Sequence, residues 1–130
     1  MNIVTFASPV SVAPPKLWIV SLYDNTLTQE ALMRSKVGVL LPLSPTKSVL
    51  VPFLGKRSGY KDKYSKRDGC REVNNEWILH SLSVETTSTQ QQESLDITLL
   101  LHCTSYIQIK LLDVIPAGDN NACLGEVVHT

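Results

Sequence analysis

The chain has 130 residues, 43% of them hydrophobic, which suffices for one compact core and not for two. Its 12 Lys and Arg balance 12 Asp and Glu, so it carries no overall electrostatic attraction to nucleic acid or to an anionic membrane. No apolar run is long enough to span a bilayer, and the N-terminus lacks a charged region leading into an apolar segment, so a cytoplasmic protein of one domain is expected over residues 1–130.

In chain order, Ile3-Val4-Thr5-Phe6 predicts a short first strand, and the proline-rich run from Ala7 to Pro15 a stiffened turn. Leu17 to Tyr23 predicts a second strand, apolar on both faces. Thr26 or Thr28 then caps a helix through Gln29, Glu30, Ala31, Leu32, Met33 and Arg34, and Thr26 with Gln29 has capping-box spacing. Val37 to Leu43 predicts a buried strand, and Pro45 to Leu54 a short helix. Gly55 to Arg71 is a basic, glycine-punctuated loop or frayed helix.

Trp77 to Val84 and Leu95 to Cys103 predict strands on either side of Thr86 to Ser94, a polar tract without an apolar anchor that is expected as a flexible surface insertion. Ile107, Ile109 and Leu111 alternate with Gln108 and Lys110, the period of a half-buried strand, and Leu112 and Val114 shift the phase as a bulge does. Pro116 to Asn121 leads into a last strand, Ala122 to Val128. Strands dominate, without a repeated strand-helix alternation. The economical architecture is therefore a small antiparallel barrel with helical insertions, whose closure removes most strand edges.

Cys70, Cys103 and Cys123 are odd in number and widely spaced, which argues against a disulfide framework and against a zinc site. Cys103 and Cys123 read as small buried hydrophobes, and Cys70, among charged residues, as exposed. His80, His102 and His129 have no metal-ligand spacing and read as structural or exposed, so no metal is expected. No nucleophile motif supports a catalytic triad, and no catalytic residue is assigned.

Candidate binding residues concentrate near the N-terminus. The prolines fix the backbone around Ser8, Val10 and Ser11, leaving their amides and hydroxyls as an array suited to carbonyls and ring nitrogens. The helix start at Thr26 and Thr28 suits an anion, because free amides and the positive end of the helix dipole converge there. A ligand with a heteroaromatic ring at one end and a phosphate at the other fits both, and FMN is such a ligand. The same residues also read simply as a proline-rich turn and a capped helix.

Leu54-Gly55-Lys56-Arg57-Ser58-Gly59 places two cations and a hydroxyl between glycines, which suits a phosphate but is not a Walker loop. The wider run from Lys56 to Arg71 interleaves Tyr60 and Tyr64, but Asp62, Asp68 and Glu72 offset its charge. A solvated basic face is thus expected there, not a nucleic-acid site.

The order Ala7-Ser8-Pro9-Val10-Ser11 with Pro14-Pro15, then Ser21-Leu22 with Thr26 and Thr28, then Leu54-Gly55-Lys56 with Ser58-Gly59, then Ala117-Gly118-Asp119 with Gly125-Glu126-Val127-Val128 resembles the flavin reductase-like, FMN-binding split-barrel family. The resemblance implies a mainly β, six-stranded antiparallel split barrel with two or three short helices, forming a homodimer with FMN near the subunit interface. It implies that Ser8, Pro9, Val10 and Ser11 line the isoalloxazine, that Ser21, Thr26 and Thr28 follow the ribityl phosphate, and that Lys56 and Ser58 neutralise the phosphate. It also implies an oxidoreductase passing electrons from NADH or NADPH through non-covalently bound FMN to an acceptor. Asp119 and Asn120 fall on the nicotinamide or substrate side.

Family members commonly carry histidine directly after the Gly-Asp pair, where this chain has Asn120. Asparagine hydrogen-bonds but cannot take the imidazolium charge. The sequence also stops at His129-Thr130, where such relatives continue, so a shortened C-terminus is expected. Both features leave open a non-catalytic FMN-binding carrier or sensor, and the basic run leaves open an interaction protein with an empty barrel.

Overall fold

A computed structural model of the chain describes residues 1–58, 65–85 and 92–130. Its elements are β1 (Ala7–Ser11), β2 (Leu17–Tyr23), α1 (Leu27–Ser35), β3 (Val37–Leu40), a 3₁₀ segment (Pro45–Leu50), α2 (Val51–Gly55), α3 (Lys66–Glu72), β4 (Trp77–Glu85), β5 (Gln92–Leu100), β6 (Ile107–Ala117) and β7 (Asn120–His129). A five-stranded sheet has the order β1-β2-β7-β6-β3, and β4 pairs with β5 as a separate two-stranded sheet. Every pairing is antiparallel. The expected mainly β architecture, open between two antiparallel sheets and carrying a few short helices, is the one observed.

Side-chain alternation divides the large sheet into two faces. Val20 and Leu22 of β2, Ile109 and Leu111 of β6 and Cys123 of β7 form one buried cluster with Leu32 of α1. Gly38 and Gly125 face Ile109 there, and a Cβ added at Gly125 would lie 3.1 Å from that of Ile109. The bulge expected near Leu112 is present, because the β6–β7 register shifts between Leu111 and Asp113. A second cluster joins Leu50, Leu54, Cys70 and Leu100, with Ile3, Trp77 and Cys103 packed against it.

Several expectations are corrected. Ile3 to Phe6 is not a strand: Ile3 packs into the second cluster and Val4 against the first, and β1 begins at Ala7 inside the expected turn. Pro9 is tolerated because β1 is an edge strand, where a missing donor breaks no inner ladder. Cys70 is fully buried, not exposed. α3 turns it toward Leu50 and Leu54, and the Ser65 hydroxyl starts that helix by accepting from the Asp68 amide at 3.2 Å. β3 ends at Leu40, short of Leu43, since Pro42 disfavours continuation. Cys103 lies beyond β5, after His102 at φ 62°.

Of the polar tract, Gln92, Glu93 and Ser94 belong to β5 and residues 86–91 lie outside the described residues, as do Tyr60, Asp62 and Tyr64 of the basic run. No helix among the described residues is long and apolar enough to cross a membrane.

Candidate functional site

The candidate site is built where β2 ends, α1 begins and the β6–β7 hairpin turns. Thr26 is the helix cap: the Gln29 amide donates to its hydroxyl at 3.2 Å, and that hydroxyl donates to the Tyr23 carbonyl at 3.0 Å. The Gln29 side chain does not close a capping box. It donates instead to Asp24 Oδ1 at 3.2 Å. Amides of the first helical residues, Leu27 and Thr28, have no carbonyl one turn earlier to bond, so they point outward as donors.

The hairpin turn is tied to the same place. Gly118 takes φ 68°, a conformation glycine adopts freely, and sends the chain back at Asp119. The Asp24 amide donates to the Asp119 carbonyl at 3.0 Å, and Asn121 Nδ2 donates to Asp24 Oδ1 at 3.1 Å. Ser21 Oγ donates to Asn120 Oδ1 at 3.2 Å, and Asn120 Nδ2 donates to Asp119 Oδ1 at 2.7 Å. Ser21, Thr26, Asp119 and Asn120 are thereby gathered into one hydrogen-bonded network. Asp24, Gln29 and Asn121 are its other members, and sequence reasoning missed them because side-chain bonds between segments so distant leave no local pattern.

Ser8 to Ser11 lie on the neighbouring edge strand. Ser8 is opposite Ile19, and the Ser21 amide donates to the Phe6 carbonyl at 2.8 Å, so β1 runs beside Ser21. The hydroxyls of Ser8 and Ser11 make only local bonds, to the carbonyls of Pro9 at 3.3 Å and Ala13 at 3.1 Å. Phe6, Val10 and Val12 along this edge are 71%, 54% and 82% exposed, an apolar strip available to a planar ring or a second subunit.

Lys56 and Ser58 are placed elsewhere. Lys56 is the exposed C-cap of α2, which packs through Leu54 into the second cluster, so this pair stands on that unit and not in the Ser21–Asn120 network. The cation engaged with α2 is Lys66. Its Nζ donates to the Leu54 carbonyl at 2.8 Å and to Asn2 Oδ1 at 3.2 Å, satisfying the end of a helix. Burial holds its pKa below the ordinary 10.5.

The donor set fits the ring and sugar end of a flavin nucleotide: hydroxyls, backbone amides of an edge strand and an exposed apolar strip lie together. At the helix tip, the Leu27 and Thr28 amides fit an anion, although Asp24 and Glu30 place carboxylates close by. A phosphate there requires a countercharge from beyond the network.

No protein-family model and no curated protein matches the sequence. Solved structures do match it in shape. An FMN-binding protein from Thermus thermophilus superposes with a TM-score of 0.66 at 18% identity, over 97% of this chain and 59% of that one. An NADH:FAD oxidoreductase of Streptomyces globisporus C-1027 gives 0.62 at 12% identity, over 95% and 61%. The flavoredoxin of Desulfovibrio vulgaris (Miyazaki F) gives 0.64 at 15% identity, over 98% and 58%. The chain thus spans about three fifths of the length of these structures. At such identities the likeness is one of fold, and it is the fold that the sequence motifs imply.

Proposed function

We propose that residues 1–130 form a flavin reductase-like domain that binds FMN without covalent attachment and takes part in electron transfer from NADH or NADPH to an acceptor. The observation that carries this reading is the Ser21–Asn120 hydrogen bond, because it joins two of the four segments on which the sequence resemblance rests. The shared fold with flavin-handling proteins supports it. Ser8, Pro9, Val10 and Ser11 would hold the ring, Ser21, Thr26 and Thr28 the ribityl chain and phosphate, and Lys56 with Ser58 would supply the countercharge. Asp119 and Asn120 would bound the side on which a nicotinamide or other substrate enters.

When bound, a flavin supplies the redox chemistry, so the residues present need only position it and keep water out. The absence of an assigned acid or base is consistent with that division of labour. The exposed strip of Phe6, Val10 and Val12 suits burial against a second copy of the chain, which would enclose the ring. A second reading, a non-catalytic FMN carrier or sensor, is favoured by Asn120, which hydrogen-bonds without titrating.

Anaerobic addition of NADH or NADPH to the FMN-loaded protein separates the two. Loss of the yellow absorbance supports the oxidoreductase, whereas bound flavin that stays oxidised supports the carrier.

A further inference from the structure

The Asp24 side chain joins α1 to the β6–β7 hairpin. Gln29 Nε2 of the helix donates to its Oδ1 at 3.2 Å, and Asn121 Nδ2 of β7 donates to the same oxygen at 3.1 Å. Asn121 is 8% exposed, so an amide that lost this acceptor would have little water to turn to. The backbone adds a further tie between the two segments, from the Asp24 amide to the Asp119 carbonyl at 3.0 Å.

The same carboxylate bears on any anion bound at the tip of α1. Gln29 is the third residue of that helix, so the carboxylate its side chain reaches lies beside the first turn. There it already complements the positive end of the helix dipole, the feature that favours a phosphate. A second anion at the same tip gains less from the dipole and is repelled by the first. The network around it includes the Asp119 carboxylate as well, and no lysine or arginine.

We propose that Asp24 is a specificity-determining residue of the flavin site, with two separable effects. Its Oδ1 positions the tip of α1 against the hairpin, and its negative charge works against the phosphate of FMN. Charge at the helix tip then sets how strongly the site distinguishes FMN from riboflavin, which has the same ring and ribityl chain without the phosphate. This inference rests on the proposed flavin site and adds to it a residue to which the family resemblance assigns no role.

The two effects come apart by substitution. Both bonds land on one oxygen, so an asparagine, whose carbonyl oxygen has two lone pairs, accepts both and carries no charge. Alanine removes the charge and the tie together.

The test is a fluorescence titration of the 130-residue chain and of its Asp24→Asn and Asp24→Ala variants with FMN and with riboflavin, at about 20 mM and about 500 mM NaCl. Asp24→Asn should raise the ratio of FMN to riboflavin affinity by about threefold to tenfold at low salt. High salt should remove most of that gain, because exposed charges are then screened within about 4 Å. Asp24→Ala should raise the same ratio but weaken riboflavin binding by about threefold or more, since α1 and the hairpin are no longer held together. Hydrogen exchange of the flavin-free chain reads the positioning separately: the amides of residues 119–121 should exchange faster in Asp24→Ala than in Asp24→Asn. A ratio at low salt that is the same in Asp24→Asn as in the parent would overturn the proposal. So would riboflavin affinity and exchange rates in Asp24→Ala equal to those of the parent. Either result would leave the flavin site standing, whereas a parent chain that binds neither flavin would remove that site and this proposal with it.

Discussion

Ser21 and Asn120 are 99 positions apart in the chain, and the serine hydroxyl donates to the asparagine side-chain oxygen at 3.2 Å. The β2–β7 pairing makes this possible, since Ser21 stands opposite Ala122 and Tyr23 opposite Asn120, which brings both side chains to one sheet face. If the pair orients the flavin, Ser21→Ala and Asn120→Ala should each lower FMN affinity by about threefold to tenfold. The double variant should lose less than the product of the two, because each change removes the same bond. Fluorescence titrations of the three variants measure this, and strict multiplicativity would show that the bond does not matter to binding.

The Thr26 hydroxyl accepts from the Gln29 amide at the start of α1. Thr26→Ala should cost about 1 kcal/mol of stability in urea unfolding, and Thr26→Ser should restore most of it, since a hydroxyl suffices. An alanine variant as stable as the parent would show that the cap is dispensable.

Much of this architecture is legible in the sequence where the signal is local. Thr26 announces a helix by its own side chain, β2 is a continuous apolar run, and the phase change at Leu112 marks a bulge. What fails is decided by long-range packing. β1 consists of residues that favour turns, and it becomes a strand because Ser8 and Pro9 find Ile19 and Trp18 across a hairpin. Cys70 looks exposed from its charged neighbours, but the helical period carries them outward and the thiol inward. The Ser65 cap is the local signal that could have shown this. Within the candidate site, Ser21 and Asn120 could be picked out by resemblance, whereas the Asp24–Asn121 bond could not, because it depends on register between strands.

Gly125 tests the close contact behind the sheet. An added Cβ would meet Ile109 Cβ at 3.1 Å and Cδ1 at 3.2 Å, and Ile109 is 1% exposed on an inner strand with little room to move. Gly125→Ala should destabilise the fold by about 1–3 kcal/mol, outweighing the entropic gain of alanine over glycine. Chemical denaturation measures it. A stabilised variant would mean that β6 yields at this point.

Alkaline pH should weaken the fold through its buried thiols. Burial raises the pKa of Cys123 above its ordinary 9.0, so above that pH the unfolded chain binds fewer protons at this residue than the folded one does. The stability contribution is complete below about pH 9 and is lost as pH rises through the folded-state pKa. Lys66 acts in the opposite sense, since its folded pKa is depressed below 10.5 and its deprotonation favours the folded state. Comparison with Cys123→Ala isolates the thiol: the variant is less stable throughout but should lose less stability between pH 8 and pH 10. Parallel pH profiles would refute the assignment.

The measurement closest to the central claim is a titration of the 130-residue chain with FMN, followed by flavin fluorescence. The account predicts saturable quenching at one FMN per chain, weakened by Ser21→Ala and by Lys56→Ala. Fluorescence that never saturates, or affinity unchanged in both variants, would contradict it.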